Sequence, residues 1–359
     1  MSSNRVLVAP LDWGLGHATR CVPIINALIA EKFEVVLAAE GATANLLQKE
    51  FPLLKMLPLK GYGIKYSRTK AGFFIKIMTQ LPKILAAIKY ENRWLDKIIE
   101  QEKIDCVISD NRLGLYSKKI PAYYITHQLH IETGNAFFNW MAQKIHYRYI
   151  NKYIQCWVPD CEGALNLAGK LSHPLQMPKI PVKYIGILSR FKKISEKPTD
   201  NLLIALSGPE PQRSVFENII LKQINEIDCP VLLIRGLPGE TTALPCENER
   251  VKIINHLPAG ELNKMMAEAG IVISRAGYST IMDLAMLQKN AVLVPTPGQG
   301  EQQYLAKYLM EKKYFLCEQQ QNFSLKKLRL EFAAFTFTSF NNVDGFKKEM
   351  IINAIKNGE

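Results

Sequence analysis

Short apolar runs, mostly β-branched, alternate along this chain with longer amphipathic segments of helical periodicity. Uninterrupted apolar runs are typical of parallel strands that are buried on both faces. Repeated strand–helix units predict an α/β fold of doubly wound parallel sheets. The predicted strands are Val6–Ala9, Glu34–Ala38, Asp105–Ser109, Ala122–Thr126, Gln155–Val158, Leu202–Leu206, Val231–Ile234, Val251–Asn255, Ile271–Ser274 and Ala291–Pro295, and the predicted helices include Ala18–Glu31, Gln212–Ile227, Tyr278–Gln288 and Gln302–Lys312.

The alternation breaks once, in a polar, basic and proline-containing segment at Ile187–Asp200, and a new predicted strand follows it. A chain of 359 residues is too long for one ordinary core. We therefore predict a Rossmann-like domain over 1–187, a second over 188–342 and a final helix within 343–359. Two such domains would face each other across a cleft, and ligands bind beyond the carboxyl ends of parallel strands.

The first loop at such a strand end reads Asp12-Trp13-Gly14-Leu15-Gly16-His17, just before a predicted helix. Glycines allow a tight turn and a close approach to a ligand, and a helix N-terminus attracts an anion. His17 stands at this position and is a candidate general base. The alternative is a glycine-rich turn without a ligand and a structural histidine.

A second group of loops lies in the C-terminal half. A predicted strand ends at Arg275-Ala276-Gly277, and Ser279 and Thr280 begin the next helix, which again suits an anion. Asp283 follows one turn later and could accept hydrogen bonds from a ribose diol. Gln302 and Gln303 open another helix and suit sugar hydroxyls. The alternatives are a solvated acid on a helix face and an ordinary polar first turn.

The segments SRAGYSTIMDLA and VPTPGQGEQQYLA resemble, in order and spacing, the donor-binding region of glycosyltransferase family 28. The resemblance covers roughly residues 200–315, and more loosely Val6–Glu31, where GLGHATR is similar to the first loop of related GT-B enzymes. It implies the GT-B fold, with an acceptor-side N-terminal domain, a donor-binding C-terminal domain, and a last helix that crosses back to the first domain.

The resemblance also implies roles for individual residues. Asp283 would hold the ribose hydroxyls, and Arg275 would support the turn beside the diphosphate. His17 would sit near the reacting carbon. The other implied donor contacts are Gly14, Gly16, Ser207, Gly208, Gly277, Ser279, Thr280, Gln302 and Gln303.

This chain departs from the family's pattern in three places. The first loop keeps only two glycines, the loop after the first strand of the second domain reads Leu206-Ser207-Gly208-Pro209, and the helix acid is Asp283 rather than glutamate. These departures leave the donor sugar and the acceptor open.

Two further strand ends carry polar side chains. Asp110 follows the strand Asp105–Ser109, and His127 follows the strand Ala122–Thr126. Their position at the predicted cleft makes them candidate acid, base or acceptor contacts, and capping residues are the alternative.

Several classes of site are not expected. No D-x-D motif and no His/Cys/carboxylate set at metal-ligand spacing occurs, so we predict no bound metal and no cofactor. The first loop lacks the third glycine of a nicotinamide-binding turn. The seven cysteines form no C-x-x-C pair, which indicates reduced thiols in the cytoplasm.

Positive charge is concentrated between Phe51 and Tyr90, where eight Lys/Arg residues occur and no acid does. Apolar residues such as Phe73, Phe74 and Leu81 are interleaved with them. This mixture predicts a segment that contacts an anionic membrane surface, and an ordinary helix with a buried apolar face is the alternative. Pro82 argues against one unbroken helix. No nucleic-acid motif accompanies the charge.

We therefore predict a metal-independent glycosyltransferase that moves a sugar from a nucleotide diphosphate, expected to be UDP, to an acceptor hydroxyl, with a lipid-linked acceptor favoured. Two other functions remain open. One is a nucleotide-sugar hydrolase in which His17 activates water, and the other is a non-catalytic donor-binding subunit that needs a partner chain.

Overall fold

The computed structural model describes residues 5–63, 70–132, 136–194, 199–341 and 343–358, without the side chains of 70–79 and 136. It divides into two compact units, the first formed by Met1–Ser189 with Val343–Glu359 and the second by Arg190–Asn342. Each unit is built on one parallel sheet with helices, which confirms the α/β class.

The sheet of the first unit has seven strands in the order β3-β2-β1-β4-β5-β6-β7. Its order reverses between β1 and β4, which pair in parallel so that Pro10 lies beside Asp110. The point of reversal is where the loops after two neighbouring strands diverge and leave a crevice. The strands are β1 (Arg5–Pro10), β2 (Glu34–Ala39), β3 (Lys55–Pro58), β4 (Cys106–Asp110), β5 (Ala122–Ile125), β6 (Gln155–Val158) and β7 (Val182–Tyr184).

The second unit has a six-stranded sheet in the order β10-β9-β8-β11-β12-β13. The order reverses between β8 and β11, where Ala205 lies beside Ser274. The loops that leave this point are the Ser207–Gly208 loop and the Arg275–Gly277 loop. The strands are β8 (Leu202–Ala205), β9 (Val231–Ile234), β10 (Val251–Ile254), β11 (Ile271–Ser274), β12 (Ala291–Leu293) and β13 (Leu316–Cys317).

Helices complete both units. Those of the first unit are α1 (Leu15–Ala30), α2 (Gly41–Glu50), α3 (Lys70–Gln101), α4 (Ala136–Ile150) and α10 (Lys348–Asn357), and those of the second are α5 (Gln212–Leu221), α6 (Ala259–Glu268), α7 (Tyr278–Met286), α8 (Gly300–Glu311) and α9 (Leu325–Ala334). No helix among the described residues is long and apolar enough to cross a membrane.

The central strands form the cores because their side chains are buried on both faces. Every residue of β4 is buried, as are the last five of β1. In the second unit Leu202, Ile204 and Ile273 are at most 1% exposed. Burial of one such side chain contributes about 1.5–3 kcal/mol, so the apolar runs that identify the strands are also the main source of stability.

The last helix packs on the first unit. Tyr123 Oη donates a hydrogen bond to the carbonyl of Ala354 over 2.7 Å, and Lys356 pairs with Glu31 at 2.8 Å. The backbone N–H of Ile187 donates to Asp344 O at 3.0 Å. These contacts place the chain's final turn-and-helix segment beside β5 and α1.

The structure differs from the sequence-based prediction at the sheet edges and in one long helix. Strands β3, β7 and β13 were not expected, because they are short edge strands with little apolar periodicity. Helix α3 runs through Pro82 without a break, so the expected interruption is wrong. Pro82 is exposed. Its ring, and the point in the helix where its missing N–H group would have donated a hydrogen bond, therefore lie away from the core.

Candidate functional site

The turn after β1 positions the first candidate residues. Gly14 is the N-cap of α1 and has φ 111° and ψ 164°, a conformation that L-residues with a side chain rarely adopt. The helix begins at Leu15, three residues earlier than the sequence suggested, so His17 and Arg20 lie in its first two turns. Residues three apart share one face of a helix, and this face turns toward the end of β4.

His17 and Asp110 meet at this point. The Nδ1 atom of His17 lies 3.0 Å from Asp110 Oδ2, and the side chains are 15% and 0% exposed. The pairing of β1 with β4 brings Asp110 next to the start of the loop, since Leu11 N donates to Asp110 O at 3.0 Å.

Arg20 also contacts the Asp110 carboxylate. Its Nε lies 3.0 and 2.9 Å from the two oxygens of Asp110, and its Nη2 also donates to Oδ1. Burial alone would raise the pKa of the Asp110 carboxyl, but the Arg20 guanidinium and His17 outweigh burial and hold that pKa at about 2. Asp110 is therefore ionised at neutral pH.

His17 is uncharged at neutral pH. Burial and the Arg20 cation lower the pKa of its imidazole from the usual range, against the raising effect of Asp110. A neutral imidazole that donates from Nδ1 to a carboxylate carries a lone pair on Nε2. That atom can accept a proton, which is the arrangement of a general base held by an orienting carboxylate.

His127 joins the same cluster from the end of β5. Its Nδ1 lies 3.1 Å from Arg20 Nη1, and His127 as a whole is 4% exposed. A guanidinium only donates hydrogen bonds, so Nδ1 accepts and the ring hydrogen is on Nε2. The structure therefore brings His17, Asp110 and His127 together around Arg20, a residue that sequence reasoning missed although its spacing from His17 was visible.

A cavity of about 320 Å³ lies at the start of α1 and α2. Its lining residues are Asp12, Gly14, Leu15, Glu40, Gly41, Ala42 and Thr43. Gly61 packs closely against one of these residues, because a Cβ there would lie 1.8 Å from Asp12 Oδ2. Gly14 thus lines the cavity, while Gly16 lies inside α1, where its carbonyl accepts a hydrogen bond from Thr19 Oγ1 at 3.0 Å.

The candidate donor loops of the second unit meet at its own point of strand reversal. Ser207 and Gly208 are exposed, and Gly208 has φ 102° with open space where a Cβ would be. Gly277 is the N-cap of α7, and as a glycine it has no side chain to cap this helix end. Ser279 and Thr280, in the first turn, are half-buried. A helix N-terminus of this kind is suited to an anion.

Arg275 lies beneath these loops. The residue is 1% exposed, and its Nη2 donates to Gln212 O at 2.8 Å and to Gln320 Oε1 at 2.7 Å. Its guanidinium also lies 4.3 Å from the centroid of the Phe216 ring, and burial lowers its pKa to about 10. These contacts tie α5 to the end of β11 and suit a residue that supports the turn.

The remaining predicted donor residues lie on α7 and α8. Asp283 is half-buried one turn into α7, and Gln303 is half-buried in the first turn of α8. Gln302 is 7% exposed, and its Oε1 accepts from Thr296 N at 2.9 Å. Gln302 therefore fixes the loop that precedes α8.

Within the described part of the chain, no group of three or more His, Cys, Asp or Glu side chains is arranged to hold a metal ion.

Comparison with known proteins agrees with this architecture. Residues 229–336 match the Glycosyltransferase family 28 C-terminal domain. A relative from Clostridium tetani, the UDP-N-acetylglucosamine–N-acetylmuramyl-(pentapeptide) pyrophosphoryl-undecaprenol N-acetylglucosamine transferase, is 26% identical over 363 residues, which cover 96% of this chain and 92% of the relative.

Solved structures show the same fold at low identity. The glycotransferase of kitacinnamycin superposes with a TM-score of 0.65 at 14% identity, covering 99% of this chain and 95% of the other. The MurG protein of Acinetobacter baumannii superposes with a TM-score of 0.57 at 15% identity, covering 99% of both chains.

The chain therefore has the GT-B fold, resembles glycosyltransferase family 28 and is a glycosyltransferase.

Proposed function

We propose that this enzyme transfers a sugar from a UDP-sugar to an acceptor hydroxyl, with His17 as the general base. The observation that supports the proposal most directly is the contact between the His17 imidazole and the buried Asp110 carboxylate, 3.0 Å apart. His17 Nε2 would take the proton of the acceptor hydroxyl as its oxygen attacks the anomeric carbon. The bond from that carbon to the diphosphate oxygen breaks, and UDP leaves with the bonding electrons.

The donor would bind the second unit. The start of α7 at Gly277 would direct backbone N–H groups toward a diphosphate, and such a site can stabilise the leaving group without a metal. Ser207 and Gly208 approach from the neighbouring loop, and Ser279 and Thr280 add hydroxyls. Asp283 would bind the ribose, and Gln303, with Gln302 behind it, would contact the sugar. Arg275 would act through the turn it supports.

We propose a lipid-linked saccharide as the acceptor. The Clostridium tetani relative is named for an acceptor carried on pyrophosphoryl-undecaprenol, and an acceptor of that kind is presented at a membrane. This proposal fits the positive charge of Phe51–Tyr90, and the contact would be a peripheral one at the cytoplasmic face.

The described surface adds a feature that the sequence did not single out. Phe137 and Trp140, near the start of α4, are 63% and 58% exposed, and Lys144 Nζ lies 4.8 Å from the centroid of the Trp140 ring. Exposed aromatic rings beside a lysine are typical of a membrane interface. Lys65 and Arg68 lie outside the described residues, as do the side chains of Lys70 and Lys76.

Transfer is tested by measuring UDP release from UDP-N-acetylglucosamine and other UDP-sugars, with and without a pyrophosphoryl-undecaprenol-linked saccharide. A transferase releases UDP only when the acceptor is present and yields a lipid product longer by one sugar. Equal release without acceptor would show a hydrolase. Donor binding without release under either condition would show the non-catalytic subunit that was the third possibility.

A further inference from the structure

Two charged side chains and two imidazoles share the buried cluster at the end of β4. Asp110 is a carboxylate, Arg20 is a cation, and His17 and His127 are imidazoles that lie 2.9 and 3.1 Å from the Arg20 guanidinium. Cys21 Sγ approaches Asp110 Oδ2 at 3.8 Å, and the buried Tyr124 stands behind the cluster on β5. Burial raises the pKa values of both the Cys21 thiol and the Tyr124 phenol, so both groups are neutral.

A carboxylate in contact with a histidine tends to keep the imidazole protonated, and a protonated imidazole cannot act as a base. An ionised carboxylate within about 4–6 Å stabilises the protonated imidazole and raises its pKa by about 1–3 units. An imidazolium has no lone pair and cannot accept a proton. The Asp110 carboxylate, by itself, would therefore favour an ion pair with His17 rather than a neutral base.

Arg20 removes this tendency because its own positive charge already compensates Asp110. The guanidinium contacts both carboxylate oxygens, and it is 2% exposed, so solvent screens its charge little. A second cation at His17 would lie against the first. The imidazole therefore remains uncharged while Asp110 still accepts its hydrogen bond.

Asn111 accounts for the remaining hydrogen of Arg20 Nη2. Two acceptors, Ile125 O and Thr126 Oγ1, lie 3.3 and 2.8 Å from one side of the Asn111 amide, so its nitrogen belongs there and its oxygen lies 3.2 Å from Nη2. One Nη2 hydrogen then points to Asp110, and Asn111 can accept the other in place of His17 Nδ1, which lies 2.9 Å from Nη2. His17 Nδ1 then keeps its own hydrogen and donates it to Asp110.

We propose that Arg20 is a positioning residue for the chemical step: by occupying the Asp110 carboxylate, it keeps His17 uncharged, with its hydrogen on Nδ1 and a lone pair on Nε2. The role of His17 in this statement rests on the proposed function. The charge state and tautomer of His17 do not, and they can be measured without any substrate.

The test is NMR of the full-length chain labelled with ¹⁵N-histidine, followed as a function of pH, with His17 assigned by comparison with His17→Gln. We expect wild-type His17 to titrate below the usual range and to carry its hydrogen on Nδ1 when neutral. In Arg20→Gln, which keeps a hydrogen-bond donor but removes the charge, the midpoint should rise by about 1–3 units. In Arg20→Lys, which keeps the charge, it should stay near the wild-type value.

Arg5→Gln is the matched control, because Arg5 begins β1 at the opposite end of the strand and is paired with Glu34 on the surface. It should leave the His17 titration unchanged. A wild-type midpoint above the usual range, a wild-type hydrogen on Nε2, or an Arg20→Gln midpoint at or below wild type would overturn the proposal. The wild-type measurement decides the matter even if Arg20→Gln does not fold.

Kinetics separates this proposal from the proposed function. The acid limb of the kcat profile for UDP release should move to higher pH in Arg20→Gln in step with the NMR midpoint, a change that mere loss of folded protein would not produce. Turnover with an unmoved His17 midpoint would overturn the role of Arg20. The expected NMR shift without turnover on any UDP-sugar and acceptor would overturn the proposed function and leave the charge arrangement intact.

Discussion

His17 Nδ1 and Asp110 Oδ2 lie 3.0 Å apart although 93 residues separate them along the chain. The contact exists because β1 and β4 are neighbours at the point where the strand order reverses. One residue comes from the helix that follows β1 and the other from the last position of β4. The proposed base and the carboxylate that would orient it therefore lie at the point where such a crevice forms.

Replacement of His17 by glutamine should lower kcat for UDP release in the presence of acceptor by roughly 10²–10⁴-fold, the usual contribution of a general base. Affinity for UDP should change little, since the proposed donor residues lie on the second unit. Steady-state kinetics and calorimetry measure the two quantities. His130→Gln is the control, because His130 is a half-exposed histidine 3.8 Å from Glu132 in the same unit. A kcat close to that of the control would make His17 a structural residue.

Folding stability should depend on pH through the same pair. The folded pKa of His17 is lowered, so below about pH 6.5 the unfolded chain takes up a proton that the fold resists, and stability falls. The folded pKa of Asp110 is held at about 2, below the usual value. Its contribution is therefore complete above about pH 4 and is lost as pH falls through about 2.

Asp110→Asn tests the contribution of Asp110 to folding stability, which is the contribution lost at the lower pH. It leaves the Arg20 cation buried without its carboxylate, and breaking a buried pair in this way costs about 3–5 kcal/mol at neutral pH. The difference from wild type should shrink as the pH approaches 2, because wild-type Asp110 then becomes protonated. Urea unfolding at a series of pH values measures this, with the exposed Asp96→Asn as control. A difference that stays constant with pH would show that Asp110 has an ordinary pKa.

The sequence was sufficient to predict the central strands and the strand-end loops, because uninterrupted apolar runs such as Val6–Ala9 permit little else. The roles at the end of β4 were harder to predict. Asp110 and His127 could be nominated by position, but Arg20 could not be singled out, since its partners come from β4 and β5. Nothing in the local sequence marks Arg20 as buried, because its ion pair with Asp110 depends on the pairing of β1 with β4. The burial of Arg275 likewise depends on α5 and on Gln320, which are distant in sequence.

Asp283→Asn should weaken UDP binding by about 1.5–3 kcal/mol, or about 10- to 150-fold, because an uncharged amide cannot replace a charge-assisted hydrogen bond to a ribose hydroxyl. Calorimetry with UDP measures the loss. Asp228→Asn is a suitable control, because Asp228 is a carboxylate in the same unit whose side chain is 92% exposed. If Asp283→Asn and the control bind UDP equally, the ribose is held elsewhere.

Membrane contact should depend on both the charge and the aromatic side chains of the first unit. Lys83 and Lys89 are exposed on α3, and each lysine near an anionic leaflet contributes about 1 kcal/mol. Changing both to glutamate should therefore weaken binding to vesicles containing one-third anionic lipid by at least about 30-fold. Changing Phe137 and Trp140 together to serine should also weaken binding, because it removes apolar area. This loss should be less sensitive to salt than the loss caused by the charge changes.

The control changes two lysines of the second unit, Lys264 and Lys307, to glutamate. Their side chains are 58% and 79% exposed. Co-sedimentation at low and high salt measures all four proteins. If the two charge-reversed proteins bind equally, the attraction comes from net charge alone and α3 is not a docking surface. If wild-type protein stays in the supernatant at low salt, a water-soluble acceptor replaces the lipid-linked one.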